Sequence, residues 1–163
     1  MFRLDDRQDR EPLDLDLLEN LLERALVELM PASAGVEIEI VDDAAMQVLN
    51  EKFFSRPRPT NVISFPLHSD VGSTVVGGEA GDKTTLDPEL LGVIVVSVET
   101  VKRETAGLGY GIEEGLLYYV IHGLLHLQGY EHVGVPAAEA RRMEQRQEEI
   151  FESVLALQAG RLG

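Results

Sequence analysis

Three of the four histidines in this chain fall inside one eleven-residue stretch, His122-Gly123-Leu124-Leu125-His126-Leu127-Gln128-Gly129-Tyr130-Glu131-His132. His122 and His126 stand four apart in a helical pattern, so both rings project from one face about one turn apart. That separation lets two imidazoles share one ion at roughly 2.0–2.1 Å each. Gly129 can adopt a left-handed conformation, end the helix sharply and let the chain return with His132 as a third ligand. Three protein ligands leave a fourth position for water, as catalytic sites do, whereas structural sites are closed by four. Two histidines at helical spacing are, on their own, more often surface or core residues. The third histidine, the intervening glycine and the apolar surroundings favour a metal site, with zinc the first candidate. Imidazole ligands also suit nickel, copper and iron.

The rest of the chain has to build a scaffold around that segment. Leu18, Leu21, Leu22, Ala25, Leu26 and Leu29 recur at helical spacing, with Asp14 and Asp16 at the start and Pro31 after the end, and predict a helix over 13–30. Val36 to Ile40 alternates with period two, as a half-buried strand does. Asp42 and Asp43 offer an N-cap to a helix over 44–54, which Pro57 and Pro59 break. Val62 and Ile63 open a short edge strand closed by Pro66. Residues 67–89 hold four glycines without periodicity and read as a mobile loop. Gly92 to Val96 is a continuous apolar run, the mark of a strand buried on both faces. Helices follow at 98–107, 112–127 and 137–157. The pattern, with room for an extra strand near 2–6, predicts one α+β domain over 1–163. It is a small mixed sheet of three or four strands covered by about five helices.

Composition narrows the function classes. The absence of cysteine excludes disulfides and thiolate sites. No run of about eighteen apolar residues is present, so no membrane span is expected. The acidic start, lacking the plan of a secretion signal, gives an expectation of a cytoplasmic protein. Net charge is −15. Such a field opposes a phosphate backbone, so a nucleic-acid role needs a local basic patch or a bound cation. Lys52, Arg56 and Arg58 form the clearest such patch, worth a log–log salt slope of only about three. The glycines at 72, 77, 78 and 81 lack the Gly-Lys-Ser/Thr context of a phosphate loop, and no nucleotide cofactor is expected.

The histidine spacing equals that of the metzincin peptidases. Those carry Glu directly after the first His as general base; here Gly123 stands there, which argues against ordinary proteolysis. The wording of the segment, with Leu49-Asn50, Pro59-Thr60-Asn61-Val62-Ile63-Ser64-Phe65-Pro66, the run Leu91 to Ser97 and Met143-Glu144 with Gln147 to Ile150, resembles the YbeY family of bacterial endoribonucleases and rRNA maturation factors. The likeness spans about 36–151. It implies a zinc-dependent, single-strand-preferring endoribonuclease with a fold related to the zinc peptidases. It also implies a role in ribosomal RNA maturation and ribosome quality control, with RNA and the ribosome or ribosomal proteins as partners. The family normally has Asp where Glu131 stands, Arg where Phe54 stands and Asp where Val93 stands. Arg56 and Arg58, two and four residues beyond Phe54, are the candidates to replace the arginine as substrate-binding cations.

The expected site is therefore His122, His126 and His132 as ligands to one ion that activates water, with Arg56 and Arg58 toward substrate. Glu131 is a candidate to orient a ligand or water from behind. No general base is identifiable. Two of Phe53, Phe54 and Phe65 read as core and the third as free to stack a base. Tyr118 and Tyr119 read as packing, Lys102-Arg103 and Arg141-Arg142 as helix surface, and His68 as surface. Two rival readings stand beside this one. The first is a peptidase or amidase, which the spacing permits. The second is a metal-binding ribosome-assembly factor with lost or weak catalysis, which Phe54 and Val93 motivate.

Overall fold

The computed structural model describes residues 2–31, 33–67 and 90–162. The expected loop over 67–89, Leu67 apart, lies outside the described residues, as does His68. Strand β1 (Phe2–Asp6) leads to helix α1 (Leu15–Leu29), strand β2 (Gly35–Val41), helix α2 (Asp43–Phe54) and strand β3 (Val62–Pro66). Strand β4 (Leu90–Ser97) is followed by helices α3 (Val98–Thr105), α4 (Ile112–Leu127) and α5 (Ala137–Leu162). The four strands form one mixed sheet in the order β1-β2-β4-β3, parallel except for the antiparallel β3–β4 pair. This is the α+β architecture read from the sequence, with β1 as the extra strand. Helix α3 stops at Thr105, short of 107, and α5 runs beyond 157.

Each element follows from its local chemistry. The Asp14 side chain accepts the Leu17 N–H at 3.1 Å and caps α1, whose six-residue aliphatic stripe is fully buried. Asp42 caps α2 the same way through Ala45. The period-two pattern of β2 reflects one covered face. Val36, Ile38 and Ile40 enter the main core, while Glu39 on the other face pairs with Arg7 at 3.3 Å. Strand β4 is central and covered twice, so its apolar run is continuous. Ile94 and Val96 join the main core beneath α1, α3, α4 and α5, and Val95 joins a smaller core under α2 with Met46, Ile63 and Phe65.

Two contacts hold α2 in place. The Asp43 carboxylate accepts hydrogen bonds from Ser97 Oγ and Thr100 Oγ1, both at 2.6 Å, and from Arg103 at 2.7 Å. Burial alone would raise this carboxyl. The three donors outweigh it and hold Asp43 below the usual carboxylate range. At the other end, Asn50, 5% exposed, donates to the Arg58 carbonyl at 2.8 Å and pins the turn carrying Arg56 and Arg58.

Helix α4 is the hub. It packs against α1, α3, α5, β3 and β4, which is why Leu116, Leu117, Val120, Ile121, Leu124 and Leu125 bury almost completely. Gly123 makes the approach to the sheet possible. A Cβ there would meet Ser64 Oγ at 2.9 Å and Ile94 Cγ2 at 3.1 Å. With no side chain, the Gly123 carbonyl instead accepts the Ser64 hydroxyl at 3.0 Å. Among the described residues no helix is long and apolar enough to cross a membrane.

Candidate metal centre

Only one face of α4 escapes the core, and it carries His122 and His126, both half-buried. The helix ends one residue later, at Leu127. Gly129 takes φ +95, its N–H bonds the His126 carbonyl at 3.0 Å, and the Tyr130 N–H bonds the Leu125 carbonyl at 3.1 Å. This pair of reversed bonds is the Schellman arrangement, which needs a left-handed residue and turns the chain back across the helix end. His132 then meets the other two. One ring nitrogen from each of the three lies within 4.8 Å of the others, and ring centroids are separated by 4.7, 5.0 and 5.1 Å. Among the described residues this is the group of side chains able to hold a metal ion.

The tautomers decide what those nitrogens can do. His126 Nδ1 lies 2.9 Å from the Tyr130 carbonyl, which can only accept, so Nδ1 carries the proton. His122 Nδ1 lies 2.9 Å from Gln147 Oε1. The Gln147 amide is oriented by its other end, where Nε2 donates to the Tyr118 carbonyl at 3.3 Å. Both imidazoles therefore present unprotonated Nε2 atoms, and these face each other at 3.1 Å. Burial lowers the pKa of both rings, His122 and His126 alike, and opposes relief by an added proton. Two lone pairs at this distance repel; a shared divalent cation turns the repulsion into attraction. Ligands about 2.0–2.1 Å from a tetrahedral ion stand roughly 3.3 Å apart, so the spacing fits one.

Glu131 is exposed, and its carboxylate is 3.7 Å from His126 Nδ1, beyond hydrogen-bond range. The carbonyl of Tyr130 is the partner at that nitrogen. Gln147 is the residue to which sequence reasoning assigned no role. It was legible in principle: Met143, Gln147, Ile150 and Val154 follow a buried helical stripe on α5, and a glutamine in such a stripe needs a polar partner.

The three histidines open onto a cleft of about 1040 Å³. Arg56 lines it; Arg58 is not among the lining residues. Phe54 lines it too, 50% exposed, while Phe53 and Phe65 pack edge to face at 5.1 Å in the smaller core. Tyr118 packs on Phe151 at 5.1 Å and on Tyr119 at 5.5 Å, and both tyrosines reach the cleft wall. Burial, with Glu104 beside it, pushes the Tyr119 hydroxyl up to about 12, so that hydroxyl stays protonated near neutral pH and is no general base. Lys102 and Arg103 are spent in ion pairs with Glu11 and Asp43.

Comparison with known proteins reaches nearly the whole chain. The family model Endoribonuclease YbeY matches residues 3–155. The Endoribonuclease YbeY of Syntrophotalea carbinolica is 32% identical over 151 residues, covering 93% of each chain. That of Geobacter metallireducens is 34% identical over 145 residues, covering 89% of each. A solution structure of a Thermotoga maritima protein superposes with a TM-score of 0.61 at 26% identity, over 99% of this chain and 93% of that one.

Proposed function

This chain belongs to the YbeY endoribonuclease family, and from that premise we propose that it cleaves single-stranded RNA at a metal centre built from His122, His126 and His132. The observation that carries the reading is the pair of proton-free Nε2 atoms 3.1 Å apart, with both Nδ1 atoms committed as donors. That donor set suits zinc, and one ion per chain is the stoichiometry it implies. When bound, such an ion supplies Lewis acidity toward a phosphoryl oxygen and lowers the pKa of water. The protein's own share is positional. Gln147 and the Tyr130 carbonyl fix the two ring orientations, and the cleft admits a strand. Among the described residues of the wall, Arg56 is the one Lys or Arg and is suited to a phosphate, with Arg58 on the adjoining turn.

Ribosomal RNA is the substrate this reading assigns. Maturation and quality control of ribosomes are the process, ribosomal proteins the partners and the cytoplasm the location. The reading takes the chain as one domain, supported by a main core that draws described residues from Leu18 to Val154 into one cluster. Peptidase chemistry is disfavoured because the space beside Gly123 is filled by Ser64 and Ile94, leaving none for a carboxylate.

The test is elemental analysis of the purified chain with a single-stranded RNA cleavage assay before and after chelation. His126→Ala is expected to lose the metal and the cleavage together. Stoichiometric zinc with full cleavage in that variant would overturn the assignment. Stoichiometric zinc in the unaltered chain with no RNA cut would favour the assembly-factor reading, and a peptide cleaved in place of RNA the peptidase one.

A further inference from the structure

The cleft beside the histidines is poor in cations. Among the described residues lining it, Arg56 is the one Lys or Arg, and Glu131 and Glu144 are acids. A chain of net charge −15 gains little long-range attraction for a phosphate backbone. Rings are better supplied. Tyr118 and Tyr119 are engaged with each other, and Tyr118 also with Phe151. Phe54 differs. It ends α2 with half its surface exposed and has no ring partner among the described residues, while Phe53 beside it turns into the core against Phe65. Single exposed apolar side chains are ordinary on a protein surface. This one stands on the wall of the cleft that holds the histidines.

We propose that Phe54 stacks on an unpaired base of the RNA strand lying in this cleft, so that the strand is gripped chiefly by its bases and only secondarily by its phosphates. The proposal rests on the endoribonuclease reading and adds which part of the RNA is recognised. Every base offers a flat face, so such a contact is indifferent to sequence. In a duplex those faces are covered by neighbouring pairs, and the same ring then selects single strands.

The experiment measures KM and kcat of the zinc-loaded full chain on a short single-stranded RNA, with an abasic strand of equal length as competitor. Stacking of one base predicts that Phe54→Ala raises KM roughly 5- to 150-fold with little change in kcat. Phe54→Tyr keeps a flat ring and should stay near the unaltered chain. Phe54→Leu keeps apolar bulk without the ring and should fall with the alanine variant, which separates stacking from loss of packing. The abasic strand should compete poorly against the intact one. Val48→Ala, on an exposed site of the same helix, serves as the silent control. An unchanged KM in Phe54→Ala, or an abasic strand that competes as well as intact RNA, overturns the stacking contact and leaves the nuclease reading standing. A zinc-loaded unaltered chain that cuts no single-stranded RNA overturns both.

Discussion

At His122 the Nδ1 proton is held by an amide oxygen rather than by a carboxylate. Gln147 can therefore orient the ring without adding charge behind the proposed ion. Gln147→Leu keeps the volume and burial but removes the acceptor, and it should weaken zinc binding about 10- to 100-fold. The thermal midpoint of the metal-free protein should move far less, and a zinc titration beside a melt separates the two effects. The pH response has a definite sign. Burial depresses the pKa of His122 and His126 in the folded chain, whereas the unfolded chain titrates near 6.5. As pH falls through that value the unfolded state takes up protons first. The contribution of these rings to stability is full above about 6.5 and declines as pH drops toward the folded values. Melts of the metal-free protein between about pH 5 and 8 should show this loss on the acid side. His122→Ala should reduce it; an equal loss in that variant would dissociate the effect from the ring.

On the scale of elements, the end of α4 matters more than its length. Gly129 has open space where a Cβ would stand, so its need for glycine is conformational, set by φ +95. Gly129→Ala should cost roughly 1 kcal/mol, about 2–4 °C in Tm for a chain of this size. Zinc affinity should fall by more than that, because the turn that returns His132 is disturbed; equal losses would indicate that the turn contributes nothing to the site. The reverse case is Gly123, where φ is ordinary and crowding by Ser64 and Ile94 decides. Only one of these two glycine roles was legible in the sequence. A glycine after a helical run announces a cap, but a glycine inside a helix gives no sign of which neighbour approaches. Strand character was legible for a related reason. Alternation in β2 and continuity in β4 report one covered face and two, and both were borne out by the cores on either side.

Across the whole molecule, charge sets how RNA binding must behave. Each phosphate contact contributes about 0.9 to the log–log salt slope on a duplex but only about 0.7 on a single strand, so the slope of about three expected of Lys52, Arg56 and Arg58 falls to near two for single-stranded RNA. Binding measured across a salt series should stay at or below that value; a steep slope would reveal a cationic surface beyond these three side chains. The sequence by itself determined the histidine pairing, the helix end that follows it and the kinds of element along the chain. These depend on backbone pitch and side-chain period, which act over a few residues. Tertiary structure alone decided that β4 lies between β2 and β3, that Gln147 reaches His122 across 25 positions, and that Phe54 faces the cleft while Phe53 faces the core. Those outcomes arise from long-range packing, where each side chain's partner is chosen by whichever element happens to cover it.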